Sequence, residues 1–170
     1  MRLTKLGGIT VLADGTLYQA EAIDTLWQAW GSIAVGTCVG FAGGDTTGTK
    51  VMNPVANASA DHTAIGIYIG ESFRGAATGL GAATTVSGLT GLDAVSGNHI
   101  LVRTFGVATA LVDGVTTDAA DINALTPSVA TAGELQSLGT TFDAGDIPLF
   151  TCLEANTTTT AAKKVFVRGM

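Results

Sequence analysis

Apolar and polar positions alternate along most of this chain, and one alternating unit occurs twice. The first copy is Ala64-Ile65-Gly66-Ile67-Tyr68-Ile69-Gly70-Glu71, a Gly-rich stretch, then Ile100-Leu101-Val102-Arg103-Thr104-Phe105-Gly106. The second is Ile147-Pro148-Leu149-Phe150-Thr151-Cys152-Leu153-Glu154, a Thr-rich stretch, then Lys164-Val165-Phe166-Val167-Arg168-Gly169. A period of two places successive side chains on opposite faces of a strand, so each copy reads as a β-hairpin unit. Ile65, Ile67 and Ile69 mark a half-buried strand, and the glycines between them mark a bend or a close backbone approach.

The remaining segments carry weaker versions of the same signal. Residues 8–18 alternate and turn at Asp14-Gly15, a hairpin signature. Residues 33–42 return to strand character, and 43–62 are small and polar with a turn at Asn53-Pro54. Residues 99–112 read as two strands broken at Gly106, followed by a turn at Asp113-Gly114. Short strands fit at Ser128–Thr131 and Glu134–Leu138 between turn signals. Two segments depart from the β pattern. Ile23, Leu26, Trp27 and Trp30 fall at i, i+3, i+4 and i+7, which predicts a short amphipathic helix over 20–31, stopped by Gly31. Residues 75–98 are rich in Gly, Ala and Thr, and predict a long loop that is an exposed arm or is ordered by a neighbouring subunit. Frequent turns between short strands predict an all-β fold, a single-domain β-barrel or sandwich. In it, 1–63 supply N-terminal strands, helix and arm, and 64–170 supply the repeated hairpin core.

Composition then narrows what such a domain does. Its 170 residues suffice for one core. Only 13% are charged, against roughly 25% in an average domain. Much of the surface must therefore be Thr, Ser, Ala and Gly, side chains with little entropy to lose on contact, which suits permanent packing against other chains. The formal net charge is −6, and among the basic residues only Lys163 and Lys164 are adjacent. No clustered positive footprint for DNA or RNA results. No run approaches the ~20 apolar residues of a membrane span. The opening Met1-Arg2-Leu3-Thr4-Lys5-Leu6 lacks the apolar run of a signal peptide, so the chain is expected to stay in, or assemble in, the cytoplasm. Cys38 and Cys152 each lie in an apolar run and read as free buried thiols, a bridge between them being the alternative.

Catalytic chemistry finds little to stand on. His62 follows Asp61 in a polar loop, and sequence neighbours do not face each other as an acid–base pair must. His99 opens a strand after a turn. No nucleophile elbow, H-E-x-x-H or P-loop occurs. Gly79-Leu80-Gly81 lacks the third glycine of a dinucleotide loop. Asp118 and Asp121 offer oxygen ligands to a hard cation, but not at EF-hand spacing. The reading is therefore of a non-enzyme without cofactor or metal. The candidate interface residues are Trp27, Trp30, Arg74, Arg103 and Arg168. The two tryptophans are either core or interface anchors. Arg103 and Arg168 end equivalent strands of the two copies, where equivalent ion pairs are expected, with Glu71 and Glu154 or between subunits.

Residues 64–170, apart from the 75–98 insertion, carry a resemblance, which does not cover 1–63. Gly97-Asn98-His99-Ile100-Leu101-Val102-Arg103, Thr131-Ala132-Gly133-Glu134-Leu135, Leu153-Glu154-Ala155 and the terminal Val165-Phe166-Val167-Arg168 resemble the strand pattern of the small β-barrel decoration, or cement, proteins of tailed-phage capsids. Asn98-His99 stand where that pattern favours Asp, and Ile147-Pro148 replace hydrophobic-Gly. The resemblance implies a homotrimer on the outer capsid surface of the virion, gripping the major capsid protein and touching neither nucleic acid nor membrane. Two other readings compete. One is a phage tail or fibre module that binds a host-surface glycan. The other is a small β-barrel hydrolase working through Asp61, His62 or His99.

Overall fold

The computed structural model describes residues 10–11, 17–18, 22–42, 45–52, 64–75, 79–113, 124–128, 131–137, 149–154 and 160–168. The Asp14-Gly15 and Asn53-Pro54 turns, Asp61, His62, Asp118 and Asp121 lie outside them. Every regular element among the described residues is a strand. In chain order these are β1 (Thr10–Val11), β2 (Leu17–Tyr18), β3 (Ile23–Ala29), β4 (Cys38–Phe41), β5 (Lys50–Met52), β6 (Ala64–Phe73), β7 (Ala83–Val86), β8 (Leu89–Leu92), β9 (His99–Val112), β10 (Ala124–Pro127), β11 (Leu135–Ser137), β12 (Phe150–Cys152) and β13 (Ala161–Val167).

The pairing of these strands closes twice. One circuit runs β9–β3–β5–β4–β6 and back to β9; the other runs β9–β13–β12–β10–β11 and back to β9. Closure of this kind removes free sheet edges, the device of a small β-barrel. Both circuits share β9, which is continuous through Gly106 rather than broken there. Its residues up to Phe105 pair with β3 and β6, and Gly106–Val112 pair with β13. Gly106 absorbs the change of partner at φ 99, a conformation that a side chain would resist.

Even-numbered residues of β9 point inward on either side of the Thr104–Phe105 stretch. Ile100 and Val102 join the first core with Ala29, Ile33, Val39, Val51, Ile65, Tyr68 and Ala94. Ala108, Ala110 and Val112 join the second with Leu125, Leu135, Phe150, Cys152, Val165 and Val167. Between the two cores stands β6, which is buried on both faces from Ala64 to Tyr68 rather than half-buried. Ala64 and Ile67 face the second core, and Ile65 and Tyr68 face the first. A bulge makes this division. Val39 pairs with Gly66 and Gly40 with Ala64, so Ile65 is an extra residue that re-aims the strand.

The predicted helix over 20–31 is a strand where the structure describes it. Thr25, Leu26, Trp27 and Gln28 pair in register with Val102, Leu101, Ile100 and His99. Apolar residues occupy both faces of β3, and a strand apolar on both faces mimics the helical period. Trp27 and Trp30 consequently do not share a face: Trp27 packs on the first core and Trp30 is exposed. Gly31 serves a turn at φ 116, not a helix end.

The predicted loop 75–98 holds the β7–β8 hairpin, fixed by the chain's own groups. The Tyr68 hydroxyl donates to the Leu92 carbonyl. One Asp93 oxygen accepts from the Val35 N–H (3.2 Å) and the Thr84 hydroxyl (2.7 Å). Asn98, fully buried, accepts from the Val95 N–H (3.1 Å) and the Ser72 hydroxyl (3.1 Å) and donates to the Gly79 carbonyl (2.9 Å). An ionised aspartate there would lose the donor, which is a physical reason for Asn98 at that position. Two further expectations shift along the chain. The predicted strand at 128–131 is β10, at Ala124–Pro127, and the polar stretch 43–62 contains β5.

Both cysteines are free and buried in the second core. Burial pushes the Cys38 thiol up to about 12. The thiolate is the reactive form and burial alone shields the Cys152 sulfur, so a thiol reagent at pH 8 should label no cysteine in the native protein and both after denaturation. Stoichiometric labelling of the native protein at the same pH would contradict this arrangement.

Candidate interaction surface

The outward residues of β3, β9 and the end of β6 form one face. Leu26 stands opposite Leu101, and Gln28 and Phe73 each stand opposite His99. Leu26 and Phe73 are 59% and 49% exposed, large values for side chains of their size. With His99 and Leu101 they line an open hollow of about 520 Å³. None of these residues was singled out as an interface by the sequence reading. The available signal was the alternation Asp24, Leu26, Gln28 on one face against Thr25, Trp27 on the other, which the helical period of Ile23, Leu26, Trp27 and Trp30 masked.

An ion pair borders this face. Arg103 Nε and Nη2 donate to the two Asp24 carboxylate oxygens at 2.8 and 2.9 Å, and Nη1 donates to the Val107 carbonyl. The pairing with Asp24 raises the guanidinium's already high pKa further. The expected partner Glu71 is not the one bonded. Register decides this, because Asp24 lies directly opposite Arg103 on β3.

The other candidate residues scatter. Trp30 is exposed with the Lys50 ammonium 4.5 Å from its ring centre, a cation–π contact. Trp27 is half-buried, meets Phe41 edge to face at 5.6 Å, and donates its indole N–H to the Thr25 hydroxyl (2.6 Å). Arg74 is exposed, just past the end of β6. Arg168 binds the Thr151 hydroxyl through Nε and Nη2 at 3.2 and 2.9 Å rather than Glu154. Glu154 instead accepts from the Lys164 N–H at 3.0 Å. Structure therefore joins neither Trp27 to Trp30 nor Arg103 to Arg168 in a single site.

A tight acidic loop precedes β5. The Asp45 carboxylate accepts from the Thr47 hydroxyl (2.7 Å) and the N–H groups of Thr47 (3.1 Å), Thr49 (2.9 Å) and Lys50 (2.8 Å). The Thr47 hydroxyl first, then these backbone N–H groups, lower its pKa from 3.8 to about 2. A depressed carboxylate stabilises the fold above its ordinary pKa and loses that contribution as pH falls towards the folded value. Amide protection at Thr47, Thr49 and Lys50 should therefore be intact above pH 4 and fade between 3.8 and about 2. Protection that persists unchanged at the acid end would show that the carboxylate does not hold the loop.

Among the described residues, no group of three or more His, Cys, Asp and Glu is placed to hold a metal ion, and no helix is long and apolar enough to cross a membrane. His99 lies exposed among apolar neighbours at the head of β9. The chain is an all-β protein of the barrel or sandwich class. Comparison with protein-family models, curated proteins and solved structures finds no match to it.

Proposed function

We propose that the chain is a capsid decoration protein, a homotrimer that seats on the outer surface of an assembled phage shell and bridges neighbouring copies of the major capsid protein. The observation that carries this reading is the uncovered apolar face of Leu26, Phe73, His99 and Leu101. It sits on a closed β framework whose surface is short of charge. Exposed apolar patches rimmed by polar groups mark contact sites between proteins. The acidic net charge suits a surface turned away from packaged DNA. The mechanism is mechanical. Binding the assembled lattice but not free subunits stabilises the lattice by mass action. A trimer multiplies weak contacts by gripping several subunits at once.

Sedimentation of the native source with mass spectrometry across the gradient tests the reading. The chain should co-migrate with virus-sized particles at high copy relative to a second coat protein. The Leu26→Asp variant should fold normally, because Leu26 is 59% exposed, yet leave the particle fraction. A chain found only in the light fraction would sink the proposal. If it also bound a glycan array, the tail or fibre reading would replace it.

A further inference from the structure

The internal repeat offers its own control. Arg103 and Arg168 each follow a Val in corresponding positions of the two copies, Arg103 inside β9 and Arg168 just past β13, and of the two only Arg103 has a carboxylate partner among the described residues. Both of its outer edges are occupied by Asp24 and the Val107 carbonyl. Arg168 spends Nε and Nη2 on one neutral oxygen, Thr151 Oγ1, and has no carboxylate partner among the described residues.

Arg168 borders a cleft of about 320 Å³ where the two circuits meet. Ile23, Trp27, Ile65 and Phe105 supply its apolar walls. The other polar groups lining it are already engaged. The Thr25 hydroxyl donates to the Val102 carbonyl and accepts the Trp27 indole N–H. The Thr104 hydroxyl donates to the Ile23 carbonyl. What the cleft offers a visitor is thus an apolar trough, one indole face and one cation with unused N–H donors. A guanidinium fork matches a carboxylate in shape as well as charge. Arg and Trp are also the residue types that dominate binding energy at protein contacts.

We infer that this cleft is a recognition site for a peptide segment of a partner protein that carries an acidic side chain beside a bulky aliphatic one. The carboxylate engages Arg168, and the aliphatic side chain lies against Trp27 and Phe105. The site is separate from the Leu26–Phe73 face, since Trp27 and Leu26 lie on opposite faces of β3. It therefore does not depend on what that face contacts.

The test is a titration of the full chain, followed by nitrogen–proton NMR correlation spectra. The probe is the N-acetylated, C-amidated tripeptide Leu-Glu-Leu, with Leu-Gln-Leu as its neutral counterpart. The acidic peptide should shift the Trp27 indole and Arg168 Nε–H signals to saturation, and the neutral one should bind about tenfold more weakly. Arg168→Met should remove that preference, while Arg168→Lys keeps part of it through charge alone. Equal binding of the two peptides overturns the inference, as do shifts confined to Leu26 and Phe73. Acetate that reproduces the shifts at the peptide's concentrations also overturns it, because the cation then takes any free carboxylate. The comparison of the two peptides on the unaltered chain decides the matter even if the Arg168 variants fail to fold.

Discussion

Phe150→Ala should lower the free energy of unfolding by about 3–5 kcal/mol, and both strand circuits should feel the loss together. Phe150 is fully buried in the second core, so its removal forfeits transfer energy and leaves a cavity. Coupling comes from β9, whose first half supplies Ile100 and Val102 to one core and whose second half supplies Ala108, Ala110 and Val112 to the other. β6 adds to it by lending Ala64 and Ile67 to the second core and Ile65 and Tyr68 to the first. Neither core can empty without exposing a strand that the other needs. Tryptophan fluorescence reads the first core, because Trp27 packs against it. Exposure of the Cys152 thiol reads the second. In urea the two probes should move together in both the parent and the variant. Separate midpoints would show that the two circuits unfold independently and that β9 does not couple them.

Gly66→Ala should cost about 3 kcal/mol, the upper part of the range for overpacking a closed core. A Cβ at Gly66 would lie 2.3 Å from the Arg103 carbonyl oxygen and 2.8 Å from Val102 Cγ1. The carbonyl belongs to the backbone of β9, which is hydrogen-bonded to β3 and β6 and cannot retreat as a flexible side chain does. Gly79→Ala is the matched control, because nothing lies within 4 Å of its added Cβ. That variant should stay within about 0.5 kcal/mol of the parent. Equal urea midpoints for the two variants would refute the close packing of β6 on β9.

Much of the framework was legible in the chain. The two alternating copies are two antiparallel pairs, β6 with β9 and β12 with β13, in which Tyr68 meets Val102 and Cys152 meets Val165. The glycines of the first copy do mark a close approach, at Gly66, and a bend, at Gly70 with φ 84. β3 was not legible. A period count works when one face is apolar, and here Leu26 and Ile23 face solvent while Thr25 and Trp27 face the protein. The β7–β8 hairpin was hidden for a different reason. Its residues are small and weakly patterned, and its order comes from Tyr68, Asp93 and Asn98, all three of them outside the hairpin itself.

The contact surface divides the same way. Composition implies a charge-poor exterior, and residue type alone points to Trp27, Trp30, Arg74, Arg103 and Arg168. The roles of these residues depended on partners remote in sequence. Asp24 closes Arg103 from 79 residues away, whereas Thr151 leaves Arg168 a cation.

By itself, the order of residues determined the β character, the turn-rich economy of charge and the doubled strand pair, because these follow from side-chain alternation and local backbone preference. Tertiary structure alone decided that one long strand serves two closed circuits, that Leu26 and Phe73 share an uncovered face, and that one of two corresponding arginines lacks a carboxylate among the described residues. Those outcomes are set by register and by a bulge at Ile65. Register is a long-range choice that the burial of whole faces imposes, and no local window of the chain contains it.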